Sequence, residues 1–130
     1  MTESLRVFSI FFIPPKRIFE AWIDSAEHSA FTNSEAKIDP RVGGEFSAWD
    51  GYITGKTISL EPFTRIVQNW RTTDFHGDDP DSLLEVIIEP LDAGCKVTLN
   101  HSGLPDGSTD EYKEGWEDYY FAPMQGYFMK

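Results

Sequence analysis

A few polar side chains fall on otherwise apolar segments, and these residues could contact a bound molecule. Gln68 and Trp70 alternate with Ile66 along one predicted strand, and His101 follows Leu99 along another. A histidine, an amide and an indole that converge on apolar walls are typical of a small-molecule site. His101 could also act as a general acid or base, although a histidine near a strand end is more often a structural or surface residue.

The C-terminal segment supplies further candidates at helical spacing. One face of this predicted helix carries Tyr112, Trp116, Tyr119, Tyr120, Pro123 and Tyr127. Because Tyr119 and Tyr120 are adjacent, only one of them can point fully into the core. The candidate cavity residues are Gln68, Trp70, Val86, Leu99, His101, Trp116, Tyr119 and Tyr120. A filled core would use the same residues, with the Trp and Tyr tips bonded to backbone, so both interpretations stay open.

Other reactive side chains give no recognisable site. Cys95 is the only cysteine, which excludes an intrachain disulfide, and we interpret it as a structural thiol. The acidic segment 74–81 could hold a divalent ion, but its spacing fits no full calcium loop, so we predict a solvated loop. No phosphate-binding glycine loop or serine nucleophile motif is present. We therefore predict no catalytic residue, no metal and no cofactor.

Length and charge limit the functional class. The chain has 130 residues and a net charge of −11, and 15% of its residues are aromatic. This length fits a single domain spanning residues 1–130, and the negative charge argues against nucleic acid and anionic membranes as partners. The first apolar stretch, residues 7–13, is too short to cross a bilayer. We expect a cytoplasmic monomer.

Hydrophobic periodicity predicts the elements that position these residues. Residues 5–13 predict a first strand with both faces largely buried, and two prolines then end it. A short helix follows. Asp24, with Glu27 as its reciprocal partner, has the spacing of an N-cap for a second helix that ends near Phe31.

After the second helix, apolar residues recur at every second position, which predicts strands. They span residues 35–39, 45–49, 52–60, 64–71, 82–89 and 95–101. Asp50-Gly51 signals a hairpin, and the short turns favour an antiparallel meander. Residues 109–129 return to helical spacing, with a kink expected near Tyr119 because of Pro123. The sequence thus predicts an α+β fold in which the meander curls around the last helix.

A series of short motifs resembles the family named after the activator of the heat-shock protein 90 ATPase, of C-terminal-domain type. The motifs read FEAW at 19–22, RVGGEF at 41–46, RIVQ at 65–68, WR at 70–71, HSGLP at 101–105, GW at 115–116 and YY at 119–120. Their order and spacing carry the resemblance, which covers residues 7–128. It implies the START-like helix-grip fold, in which a curved antiparallel sheet wraps a long C-terminal helix around an internal cavity.

The resemblance implies several functions. Family members include co-chaperone domains and small stand-alone proteins, and the wider superfamily binds lipids, hormones and polyketide-like molecules, with a minority of enzymes. Our leading hypothesis is a non-enzymatic protein that binds a small hydrophobic or amphipathic ligand. The alternatives are an interaction module with heat-shock protein 90 as its partner, and a cavity enzyme, a cyclase or hydrolase. The co-chaperones carry a further N-terminal domain, which we expect to be absent here.

Overall fold

Seven antiparallel strands form one curved sheet in the computed structural model, which describes residues 2–129. The strands are Thr2–Phe11 (β1), Lys37–Ile38 (β2), Glu45–Ala48 (β3), Ile53–Glu61 (β4), Arg65–Thr72 (β5), Ser82–Leu91 (β6) and Gly94–Pro105 (β7). Their order is β1-β7-β6-β5-β4-β3-β2, so β2 to β7 form the predicted meander and β1 pairs with the outer side of β7. The α+β helix-grip fold is confirmed.

The helices lie along one face of this sheet. They are Pro15–Trp22 (α1), Ser25–Thr32 (α2), Thr109–Trp116 (α3) and Ala122–Phe128 (α4), and a π-helical turn, Glu117–Phe121, joins α3 to α4. In this turn the Ala122 N–H donates to the Glu117 carbonyl, five residues back. Pro123 has no N–H to offer the carbonyl four residues back, that of Tyr119. The break in the regular helix therefore lies where the sequence predicts a kink.

The predicted N-cap of α2 forms, but without its reciprocal contact. Asp24 Oδ2 accepts a hydrogen bond from the Glu27 N–H over 2.9 Å. The Asp24 N–H donates to the Ala21 carbonyl instead of to Glu27. The Glu27 carboxylate lies 2.7 Å from the Arg17 guanidinium and accepts a 2.8 Å hydrogen bond from the Tyr127 hydroxyl. Glu27 therefore connects α2 to α1 and α4.

The core lies between the sheet and the helices. The nine side chains that alternation predicts to face inward on β5, β6 and β7 are all buried: Ile66, Gln68, Trp70, Leu84, Val86, Ile88, Val97, Leu99 and His101. On α4 and the π-helical turn, the apolar stripe of Phe121, Met124 and Phe128 is also buried. Among residues 2–129, no helix is both long enough and apolar enough to cross a membrane.

The prediction that both faces of the first strand are largely buried is wrong. Leu5, Val7 and Phe11 pack into the core, whereas Phe8 and Ile10 on β1 are 55% and 44% exposed. Helices cover only one side of the sheet, so alternate side chains of an antiparallel strand face solvent. β1 is moreover an edge strand, with β7 as its sheet neighbour.

Candidate functional site

A groove of about 320 Å³ opens between α3, the π-helical turn and the β3–β4 hairpin. Seven aromatic side chains form most of its wall: Trp49, Tyr52, Trp70, Tyr112, Trp116, Tyr119 and Tyr120. Ile53, Gly115 and Glu111 complete the lining. The groove therefore presents ring faces and edges with few polar groups, the composition typical of a small-molecule site.

The β3–β4 turn places two of these rings. Trp49 and Asp50 adopt left-handed backbone conformations, with φ of 54° and 56°, and Gly51 follows with φ of 89°. A glycine suits this third position because it has no Cβ to clash. The Asp50 carboxylate accepts a hydrogen bond from the Glu35 N–H and anchors the turn. Trp49 then meets Tyr119 edge to face, with ring centroids 5.8 Å apart.

The deeper wall is a cluster of rings in direct contact. Trp70 lies edge to face with Tyr112 at 5.3 Å and is tilted against Trp116 at 5.5 Å. Trp116 contacts Tyr120 at 4.8 Å. Such pairs add stability beyond the area they bury and fix the orientation of each ring. The groove is therefore shaped by side chains that are largely immobilised by one another.

The His101 imidazole lies in the core and is fully hydrogen bonded. Its Nδ1 accepts from the Trp116 indole N–H at 3.0 Å, so the ring proton is on Nε2. That Nε2–H donates to Ser82 Oγ at 2.8 Å, and the Ser82 hydroxyl donates to the Trp70 carbonyl at 2.7 Å. Burial lowers the pKa of His101 to about 3. The side chain is therefore neutral, and both of its nitrogens already have partners.

A second buried histidine, His28, has an equivalent environment. Its Nδ1–H donates to the Trp22 carbonyl at 2.8 Å, which leaves Nε2 to accept a 2.9 Å hydrogen bond from the Tyr120 hydroxyl. Burial lowers the pKa of His28 to about 4 and raises the pKa of the Tyr120 phenol. The bond links α2 to the π-helical turn and holds Tyr120 against the groove.

The eight predicted cavity residues divide into two sets. Trp70, Trp116, Tyr119 and Tyr120 line the groove. Gln68, Val86, Leu99 and His101 do not line it and lie in the packed core. Gln68 accepts from the Trp22 indole N–H and donates to Thr57 Oγ1, both at 3.3 Å, so its amide is used within the core. Ligand contact by any of the eight stays a prediction.

Sequence reasoning missed six lining residues. Helical spacing already places Tyr112 on the same face as Trp116, although Tyr112 is not among the candidate cavity residues, and Gly115 belongs to the same helix. Trp49, Tyr52 and Ile53 flank the predicted hairpin turn, and Glu111 lies in the first turn of α3. No local pattern indicates that the hairpin packs against this helix. The His28–Tyr120 bond joins residues 92 positions apart and was likewise not predictable.

The acidic loop after β5 is held in place by protein groups. Arg71 donates to the carbonyls of His76 and Asp79 and pairs with the Asp81 carboxylate at 2.8 Å. Phe75 is buried against Trp70 with centroids 6.1 Å apart. Within residues 2–129 no group of three or more His, Cys, Asp or Glu side chains is arranged to hold a metal ion.

Polar groups in the described interior are paired. Across residues 2–129, every buried side-chain nitrogen or oxygen has a hydrogen-bond partner. Cys95 is a buried free thiol, and its burial raises its pKa. A raised thiol pKa lowers the fraction of reactive thiolate. Burial therefore makes the Cys95 thiol less reactive than a free one, and Cys95 does not line the groove.

Comparison with known proteins identifies the family. Residues 13–129 match the family model described as Activator of Hsp90 ATPase homolog 1-like protein. The Activator of 90 kDa heat shock protein ATPase homolog of Dictyostelium discoideum is 26% identical over 119 residues, which cover 89% of this chain and 30% of that protein. The human Activator of 90 kDa heat shock protein ATPase homolog 1 is 23% identical, over 98% of this chain and 37% of its own length. The chain thus spans about a third of these relatives.

Solved structures share the fold. A Plasmodium falciparum protein described as an HSP90 activator superposes with a TM-score of 0.89 at 24% identity, covering 95% of this chain and 94% of that one. CalU16 from Micromonospora echinospora gives a TM-score of 0.77 at 24% identity, covering 98% and 80%. At these identities the likeness concerns the fold. Taken with the family match, these findings show that the chain belongs to the Activator of Hsp90 ATPase homolog 1-like family and has its START-like helix-grip fold.

Proposed function

We propose that the chain is a non-enzymatic binding protein whose groove takes up a small hydrophobic or amphipathic molecule. The observation that carries this proposal is the groove itself, about 320 Å³ in volume and walled by seven aromatic side chains. Ligand pockets in proteins commonly measure about 300–1,000 Å³ and are lined mainly by apolar and aromatic groups. The groove is at the lower end of that range, which suits a molecule of one or two fused rings.

The state of the two buried histidines supports binding rather than catalysis. A general acid or base must reach the substrate and titrate near the working pH. His101 and His28 are 0% and 4% exposed, have depressed pKa values, and use both ring nitrogens within the core. We further propose that the protein is a cytoplasmic monomer, a setting in which its single buried thiol stays reduced.

A glycine in the groove allows a direct test. Gly115 lines the groove, and a Cβ built there meets no atom within 4 Å, so the side chain of Gly115→Leu would start from open space and extend into the groove. Gly126 in α4 is also helical, has the same open space where a Cβ would stand, and lies outside the groove lining, so Gly126→Leu is the matched control. Prodan, a neutral naphthalene dye with two fused rings and an environment-sensitive emission, would be titrated by fluorescence.

The original chain and Gly126→Leu are expected to bind the dye with the same affinity, whereas Gly115→Leu loses at least about tenfold, since a leucine occupies the volume the dye needs. Urea denaturation of both variants would establish that they are folded. The proposal is contradicted if the original chain does not bind, or if Gly115→Leu binds as well as Gly126→Leu.

A second candidate function is an interaction module for heat-shock protein 90. It is favoured by the family match and by relatives named as activators of that chaperone's ATPase. A partner of a chain with net charge −11 should offer a basic surface, so association should weaken as salt rises. Titration of purified heat-shock protein 90 at low and moderate salt tests this function, and absence of binding at both salt concentrations argues against it.

A further inference from the structure

We propose that the groove selects cationic aromatic molecules, such as arylalkylammonium ions, over anionic ones of the same shape. This inference rests on the proposed function and names its ligand class. It follows from two independent features of the lining: the aromatic faces and the sign of the nearby charge.

The aromatic wall favours a cation. Trp and Tyr ring faces carry negative electrostatic potential, and a cation within about 6 Å of the ring centre is attracted to them. Trp49 and Tyr119 meet edge to face at the mouth, and Tyr119 is 61% exposed. An ammonium group held at this mouth would lie beside these rings while the aromatic part of the ligand enters the groove.

The charged groups at the groove would also attract a cation and repel an anion. Glu111 is the only charged residue among the ten lining residues, and none of them is basic. Outside the lining, the Tyr52 hydroxyl donates to the Asp74 carboxylate over 2.6 Å, which places a second carboxylate next to a lining ring. An anionic ligand would meet these charges without a counter-ion from the lining.

Basic residues nearby are few or engaged elsewhere. The helical segment 109–121 carries five acidic residues and one lysine, Lys113, so its net charge is 1 − 5 = −4. Arg71 follows the lining residue Trp70 but bonds the acidic loop at His76, Asp79 and Asp81. The potential at the groove is therefore negative, and it would attract a cation and repel an anion.

Three probes that share one ring system separate charge from shape: 2-naphthylmethylammonium, 2-naphthylmethanol and 2-naphthoate. Affinities for the full chain would be measured by two-dimensional NMR titration of its backbone amide and indole N–H signals. The ammonium probe is expected to bind at least about fivefold more tightly than the carboxylate, with the neutral alcohol between them. Raising the salt concentration should reduce this ratio.

Two glutamates on α3 provide a matched pair of variants. Glu111→Gln removes the lining charge and should lower the ammonium-to-carboxylate affinity ratio by about two- to fivefold. Glu114→Gln makes the same change of side chain and net charge one helical turn away, outside the lining, and should change the ratio much less.

The outcomes of these experiments test charge selection separately from the proposed small-molecule binding. If the neutral probe binds and Gly115→Leu abolishes its binding, but the ammonium and carboxylate probes bind equally, charge selection is wrong and the binding function stands. Tighter binding of the carboxylate, or equal effects of Glu111→Gln and Glu114→Gln, also overturns charge selection. If none of the three probes binds, the proposed function itself is contradicted and the inference falls with it.

Discussion

The Trp116 indole donates to His101 Nδ1 over 3.0 Å and thereby fixes the imidazole as its neutral Nε2–H tautomer. Through Ser82 the same ring reaches the Trp70 carbonyl, so one unbroken series of hydrogen bonds joins α3 to β7, β6 and β5. Trp116 and Trp70 both line the groove, whereas His101 does not. His101 therefore helps to position two residues of the groove wall without lining the groove itself.

Acidification should destabilise the fold well before the carboxylates titrate. The pKa values of His101 and His28 are lowered by burial to about 3 and about 4, against 6.5 for a free side chain. The unfolded chain then binds more protons between those values and pH 6.5, so the free energy of unfolding falls as pH drops through this window. From pH 7 to pH 5 the loss should total about 4 kcal/mol for the two groups.

Urea denaturation at pH 7, 6 and 5 would measure that loss. His76→Gln, which removes the exposed histidine of the acidic loop, serves as the control and should keep the same profile. A stability that is constant over this range would contradict the assignment of neutral buried histidines.

Replacing His101 with phenylalanine should destabilise the protein by about 2–3 kcal/mol, because the buried Trp116 N–H loses its acceptor and Ser82 loses a donor. The double variant His101→Phe/Trp116→Phe should lose less stability than the sum of the two single variants, since it removes the unpaired donor as well. Dye binding by the single variant should be retained. Equal stability of His101→Phe and the original chain would show that the network is dispensable.

The two adjacent tyrosines should behave in opposite ways. Tyr120 is 4% exposed and donates to His28, so Tyr120→Ala should cost about 3–5 kcal/mol of stability. Tyr119 is 61% exposed at the mouth of the groove, so Tyr119→Ala should change stability by less than about 0.5 kcal/mol. Its dye affinity should nevertheless fall severalfold. Thermal denaturation combined with fluorescence titration of both variants would separate the two effects, and similar stability losses would refute the distinction.

Two Gly→Ala substitutions are expected to differ in sign. A Cβ at Gly115 meets no atom within 4 Å, so Gly115→Ala should stabilise the helix by about 0.5–1 kcal/mol. At Gly55, in β4, a Cβ would lie 2.0 Å from the Asn69 carbonyl oxygen of the paired strand, so Gly55→Ala should disrupt the β4–β5 pairing. Urea denaturation would measure both. A stable Gly55→Ala variant would be inconsistent with this close approach.

The fold was largely predictable because alternation and helical spacing repeat over many residues. Apolar residues at every second position predicted the ends of strands β3 to β7 to within a few residues. Pro123 indicated where the last helix changes from α-helical to π-helical hydrogen bonding. The motif resemblance supplied the curvature of the sheet around the helix, which periodicity alone does not specify. The same reasoning failed for β1, because apolar side chains at Phe8, Ile10 and Phe12 gave no sign that their face is uncovered.

The site was only partly predictable because its walls come from distant segments. Helical spacing identified Trp116, Tyr119 and Tyr120 as a group. It could not show that the hairpin bearing Trp49 and Tyr52 folds over that helix, nor that His101 and Gln68 use their polar atoms within the core. Those facts depend on contacts between residues far apart in sequence, for which local patterns contain no signal.

The π-helical turn at Glu117–Phe121 leaves the Tyr119 side chain outside the core. In a regular α-helix, the side chains of residues i and i+4 point in directions that differ by about 40° around the helix axis. A π-helical turn has more residues per turn and therefore reduces that difference. Trp116, Tyr120, Met124 and Phe128 can therefore all face the core, while Tyr119 projects outward from the bulge. On the proposed function, substitutions at Tyr119 should change ligand affinity while the interior is left intact, so the mouth of the groove and the core can vary independently of each other.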